Sequence, residues 1–131
     1  MKEKEIIATK NAPAAIGPYS QAVRVGGMLF ISGELGIDPA NGKLLKGFEE
    51  QTEQALENLK AILEAAGSSL DKVVKTTVFL KNMDNFDSMN RIYEKYFPKD
   101  CPARCCVEVS KLPKDAEIEI EVIATVYEKN E

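Results

Sequence analysis

Three carboxylates recur at every second position near the C-terminal end of the chain, where Glu117, Glu119 and Glu121 alternate with Ile118, Ile120 and Val122. In a strand that period sets all three on one face, about 6.5–7 Å from one to the next. A carboxylate so placed could hold and partly deprotonate a water. The same row also fits an exposed strand end whose charges discourage edge pairing. A second candidate lies just upstream, in Ala103-Arg104-Cys105-Cys106-Val107-Glu108. Alternation sets Arg104 and Cys106 on one face and Ala103, Cys105 and Val107 on the other. An Arg among small apolar residues, in a strand that reads as buried, needs a partner, because an unpaired buried cation is costly. Its planar fork suits a carboxylate. That partner is either a Glu of the last strand, a structural role, or the carboxylate of a ligand. Spacing alone leaves both open.

Composition narrows the chemistry further. The chain of 131 residues contains no His, so an imidazole metal ligand, a His-dependent triad and a His base are all excluded. Acid–base work falls to Glu, Asp, Tyr, Lys, Cys or water. Cys101, Cys105 and Cys106 fit no zinc spacing, and adjacent Cys105 and Cys106 would form a strained bridge at best. They read as free thiols packing a strand, and no metal site is expected. The 17 basic residues, of which only Arg24, Arg91 and Arg104 are Arg, are scattered among 21 acidic ones for a net charge of −4. No basic run exceeds a pair, which argues against nucleic acid as the main partner. The charged start, Met1-Lys2-Glu3-Lys4-Glu5, lacks the apolar stretch of a secretory signal. No window approaches the ~20 apolar residues of a membrane span. The expectation is a soluble, cytoplasmic protein with no membrane partner.

The length fits a single domain over residues 1–131, with no linker or repeat to divide it. Residues 6–17 read as extended and irregular. Ala22–Val25 and Met28–Ser32 are β-like runs flanking Gly26-Gly27, a good hairpin turn. The Gly36–Gly47 stretch reads as turn-rich loop. From Phe48 to Ala66 apolar residues repeat at helical spacing, with Gly67 at the C-terminal cap. Val73–Leu80 is β-branched and apolar, as expected of a largely buried strand. Asp84 or Asn85 can cap a second helix through Phe97, ended by Pro98. Ala103–Val109 and Glu117–Tyr127 are further strands. The order β-β-α-β-α-β-β predicts an α+β fold, two amphipathic helices on one face of a mixed sheet. The opposite face then needs a cover, and self-association would supply it.

Several separated motifs carry a resemblance: Asn11-Ala12-Pro13-Ala14-Ala15-Ile16-Gly17-Pro18-Tyr19-Ser20-Gln21, Ser32-Gly33, Val74–Phe79, Pro102–Val109, Leu112–Asp115 and Ile118–Glu121. In order and spacing, from about Ile6 to Tyr127, they closely resemble the Rid (YjgF-type) family of reactive imine deaminases. The resemblance implies a chorismate-mutase-like fold and a homotrimer, its sheets around a central barrel-like core and its active sites between subunits. It implies hydrolysis, without a cofactor, of the small 2-imino acids that PLP-dependent dehydratases release, giving a 2-keto acid and ammonia. It places the substrate-carboxylate Arg on Arg104 and the water-positioning Glu on Glu119. It makes Tyr19 a pocket cap or proton relay, Ser32 and Gly33 the pocket lining, and Asn90 and Cys106 further binding positions. Cys105 stands where a Ser or Thr is more usual, and by alternation it points away from Arg104. Blander readings remain beside these: Tyr19 as a loop anchor, Asn90 as a helix-surface amide, Cys106 as packing. Two rival functions do as well, an RNA-cleaving inhibitor of translation and a non-catalytic module that binds small carboxylates.

Overall fold

The computed structural model describes residues 3–126. In chain order the elements are β1 (Glu5–Ile7), β2 (Ala22–Val25), β3 (Met28–Leu35), β4 (Ile37–Asp38), β5 (Lys43–Leu44), α1 (Phe48–Ala65), β6 (Val73–Leu80), α2 (Phe86–Tyr96), β7 (Ala103–Glu108) and β8 (Ile118–Thr125). Six strands form one sheet in the order β1-β2-β3-β8-β6-β7, and β4 and β5 form a small ladder of their own. Only β6 and β7 run parallel; α2 makes the crossover between them, as a parallel pair requires.

The helix and hairpin signals are realised. Gly26, at φ +59°, turns β2 into β3. Gly67, at φ +81°, closes α1: its N–H donates to the Glu64 carbonyl, and the Ser68 N–H to the Leu63 carbonyl. A short 3₁₀ turn, Met83–Asn85, precedes α2 and is opened by the Asn82 side chain, which accepts from the Asp84 N–H at 2.9 Å; Asn85 stands at the helix start without a side-chain bond.

Both helices lie on one sheet face. Leu56, Leu59, Ile62 and Leu63 of α1 and Met89 and Tyr93 of α2 pack there against Leu29, Val78, Ile118, Ile120 and Val122. Each large aliphatic side chain so buried is worth about 1.5–3 kcal/mol. The other face is open. Phe30 pairs with Ile123 across the β3–β8 ladder, and Phe30 is 45% exposed, with Val74 and Val107 similarly uncovered. A smaller cluster of Leu35, Leu112 and Ala116 with Phe79 covers one end of it.

Several expectations need correction. Residues 5–7 are a strand, because β1 pairs with β2 from Glu5–Arg24 to Ile7–Ala22. The loop after Gly36 holds the β4–β5 ladder. Val73–Leu80 is buried on one side only, since its alternate residues lie on the open face. Strand β7 is an exposed sheet edge, so Arg104 is exposed too. Tyr127 and residues 1–2 and 128–131 lie outside the described residues.

Candidate active site

In β8 the alternation holds: Ile118, Ile120 and Val122 are buried against the helices, and Glu119 and Glu121 point from the open face. The acidic row nevertheless divides. Glu117 precedes the strand, where its carboxylate lies 3.9 Å from the Lys81 ammonium and its N–H donates to Gln51 at 2.8 Å. Glu119 and Glu121 line a cavity of about 640 Å³ instead.

The wall opposite those two carboxylates comes from β3. Between Ile31 and Glu34 that strand takes three steps while β8 takes two, from Val122 to Ile120, so a bulge falls at Ser32-Gly33. Both residues line the cavity as a result. A β-carbon on Gly33 would overlap the Glu119 carboxylate, reaching its Cδ at 2.8 Å, so a larger residue there would displace that side chain from its place on the bulge. The Ser32 hydroxyl donates to the Ser20 carbonyl at 2.6 Å. Tyr19, half-exposed, forms the mouth with Pro13 and Ile16. Gln21 ties this segment down: its amide donates to the Thr9 and Pro13 carbonyls at 3.1 and 2.7 Å and accepts from the Thr9 N–H at 2.7 Å. Burial, and secondarily the charge of Glu121, pushes the Glu119 carboxyl above its ordinary range, which brings it closer to the poise of a neutral-pH base.

Arg104 is elsewhere. It pairs in register with Thr76, and Cys106 with Val78, so both share the helix-covered face and lie opposite Glu119. Its guanidinium donates to the Asn90 side-chain oxygen at 2.7 Å, lies 3.9 Å from the Met89 sulfur, and sits 4.9 and 5.5 Å from the ring centres of Tyr93 and Phe86. The Tyr93 hydroxyl is fixed in turn by Thr76 at 2.8 Å. Among the described residues no carboxylate lies within salt-bridge distance of Arg104. A structural pair with a Glu of the last strand is therefore not formed. Cys106 is half-buried, and burial holds its thiol protonated against the pull of Arg104. Cys105, as expected, pairs with Thr77 on the other face.

The seven residues thus fall into two groups. Tyr19, Ser32, Gly33 and Glu119 meet at the cavity; Arg104, Asn90 and Cys106 meet at the β7 edge. The sequence reading missed Glu34, which also lines the cavity; a lone carboxylate inside the apolar run Met28–Leu35 was its signal. Phe86 and Tyr93 of α2 cradle the guanidinium as well. Among the described residues no three His, Cys, Asp or Glu side chains converge as metal ligands.

The sequence profile described as Endoribonuclease L-PSP matches residues 9–126, a span that takes in both groups. The chain belongs to this family, the Rid or YjgF type. Among Rid relatives, the RutC family protein of Pyrococcus horikoshii is 58% identical over 122 residues, covering 92% of this chain and 97% of its own. The 2-iminobutanoate/2-iminopropanoate deaminase of Salmonella typhimurium is 51% identical over 121 residues, covering 90% and 94%. The crystal structure of E. coli TdcF with bound serine superimposes with a TM-score of 0.91 at 41% identity, covering 94% of this chain and 99% of that one. The Rid architecture of two helices on one face of a mixed sheet is the one seen here.

Proposed function

We propose that this protein is a cofactor-independent hydrolase of small 2-imino acids, releasing a 2-keto acid and ammonia. The observation that carries the reading is Arg104: a guanidinium fixed by Asn90 and two aromatic rings, exposed, and neutralised by no carboxylate among the described residues. Such a group is ready for a ligand carboxylate, and a charge-assisted bond there is worth about 1.5–3 kcal/mol. The deaminase name of the Salmonella relative and the serine in TdcF, a small amino acid, support a substrate of this class.

Because Arg104 and Glu119 lie on opposite faces of one sheet, the complete site needs a second copy of the chain. The β7 edge of one copy would close over the cavity of its neighbour. The uncovered Phe30, Val74 and Val107 favour that cover, and the family resemblance favours a homotrimer with its sheets around a central core.

With the substrate carboxylate on Arg104, the protonated imine faces the acidic cavity. Glu119 accepts a proton from a water as its oxygen bonds to C2. The resulting carbinolamine nitrogen takes that proton from Glu119, the C–N bond breaks as Glu119 accepts the proton of the C2 hydroxyl, and the keto acid is left behind while the departing ammonia carries that last proton away as ammonium. Tyr19 closes the mouth, and Ser32 and Gly33 shape the wall. Such substrates arise from PLP-dependent dehydratases, which fits a cytoplasmic setting; no helix among the described residues is long and apolar enough to cross a membrane.

The test is a threonine dehydratase reaction followed with and without the protein. Imine decay and keto-acid release should accelerate in proportion to protein added; a module that only binds carboxylates would leave both unchanged. The family's description also keeps the RNA-cleaving reading in view. Against it stand the net charge of −4, the absence of His and the carboxylates of the cavity. Intact labelled mRNA after incubation at moderate salt would dispose of it.

A further inference from the structure

Beside Glu119 lies an apolar basin that the hydrolytic steps leave unused. Across the open face one row runs Leu35–Glu119–Phe79, from β3 through β8 to β6, so Glu119 has an apolar neighbour on either flank. Leu35 and Phe79 belong to the small cluster with Leu112 and Ala116, and Ile37 packs against it. At this end the cavity is lined by Leu35, Ile37, Pro39 and Pro113. The backbone here is already engaged: the Leu35 and Ile37 carbonyls accept from the Asn58 amide at 3.1 and 2.9 Å, and the Gly36 carbonyl accepts from the Leu45 N–H at 2.9 Å. The two prolines have no N–H to donate. Asn58 is buried in α1, so its bonds fix this wall to the helix layer and leave it preformed. Lys114, next to Pro113, is charged but exposed. A polar group entering the basin would shed its water and find no partner on that wall; an alkyl group would only gain.

We propose that this basin is the subsite for the substrate's side chain and that Ile37 limits its length, so that the site selects aliphatic 2-imino acids over polar ones of the same shape. This rests on the imine-hydrolysing reading above. With C2 held at Glu119 for attack by the water, and the carboxylate on Arg104 of a second copy, the substituent at C3 is the part of the substrate still to be placed. Leu35 is the first side chain it meets on one flank of Glu119, and Ile37 lies beyond, in the same cluster. Each methylene that leaves water for such a wall is worth about fourfold in kcat/KM.

The test is a series of imines made in place by an amino-acid oxidase from alanine, norvaline, leucine, methionine and asparagine, each rate taken over spontaneous hydrolysis. Relative kcat/KM should climb roughly tenfold or more from the alanine imine to the norvaline one, and go no higher with the longer methionine chain. The asparagine imine, a polar match for leucine in shape, should fall at least about tenfold below it. Ile37→Phe fills the basin: whatever its rate on the alanine imine, its leucine-to-alanine ratio should drop at least about fivefold. Ile37→Ala deepens the basin and should move the optimum to the methionine imine. A flat series, a polar imine equal to its aliphatic match, or a chain-length preference unmoved in both variants overturns the proposal. So does a flat series in which Ile37→Phe shrinks the oligomer on gel filtration, for the basin then seats the neighbouring copy. A protein that speeds no imine would sink the hydrolytic reading instead. Calorimetric Kd values for the matching 2-keto acids need no turnover and would still decide: tightening with chain length upholds the alkyl subsite, and equal values remove it.

Discussion

Arg104 is held on three sides and neutralised by no carboxylate among the described residues, and this separates what it does from what it supports. Its neighbours are an amide, a thioether and two rings, so truncation leaves no buried charge unpaired. Arg104→Ala should therefore abolish imine hydrolysis while circular dichroism and oligomer size stay as in the unaltered protein. Arg104→Lys keeps the charge but loses the two-pronged geometry, and should raise KM more than it lowers kcat. Glu34 carries a stability signature. Its carboxyl is raised from 4.5 to about 8 in the folded chain, so between those values the unfolded chain gives up a proton that the folded one keeps. The folded state binds more protons there, and stability must fall as pH rises through that window. The contribution is present in full below about 4.5 and gone above about 8. Glu34→Gln removes the dependence, and by pH 8 should be more stable than the unaltered protein by about 2–4 kcal/mol per chain. Thermal melts of both proteins at pH 5 and pH 8 would show it: the gap must widen at the higher pH.

Among the elements, those that announce themselves by period were legible, and those made by distant hydrogen bonds were not. Helix α1, helix α2, the Gly26-Gly27 hairpin and the alternation of β8 follow from local pattern, and they put Glu119 and Arg104 on known faces of known strands. The β4–β5 ladder has no such pattern. It is pinned from α1, where the buried Asn58 amide donates to the Leu35 and Ile37 carbonyls at 3.1 and 2.9 Å and Gln51 donates to Leu45 at 2.9 Å. In a helical wheel these amides read as breaks in the apolar stripe; in the structure they join α1 to the cavity wall. The burial of Arg104 was misjudged for a related reason, because strand order across the sheet is not written in any one segment, and β7 lies at the margin. Gln51 also accepts from the Glu117 N–H at the entry to β8. Gln51→Ala should cost about 1–3 kcal/mol, read as a lower urea midpoint with unchanged slope, and should weaken turnover by loosening the strand that bears Glu119.

At the scale of the whole molecule, Arg104 and Glu119 stand on opposite faces of one sheet, so the site proposed above draws one group from each of two copies. If copies complete one another, two inactive variants should rescue each other. Arg104→Ala and Glu119→Gln, each inactive alone, should recover up to about a quarter of full activity when unfolded and refolded together in equal amounts, because random assembly restores both groups at that share of interfaces. A mixture as inactive as its components would place both groups of each site on one chain.

The marginal strand that bears Arg104 has one more consequence. It is zipped to the sheet along a single side, through β6, whereas β8 is zipped along two. In an isolated chain its amides should exchange with solvent deuterium sooner than those of β8, at a free energy below that of global unfolding. If copies assemble and bind substrate as proposed above, warming or dilution would then release Arg104 while the hydrophobic interior stays shut, so that activity fades ahead of any spectroscopic sign of melting.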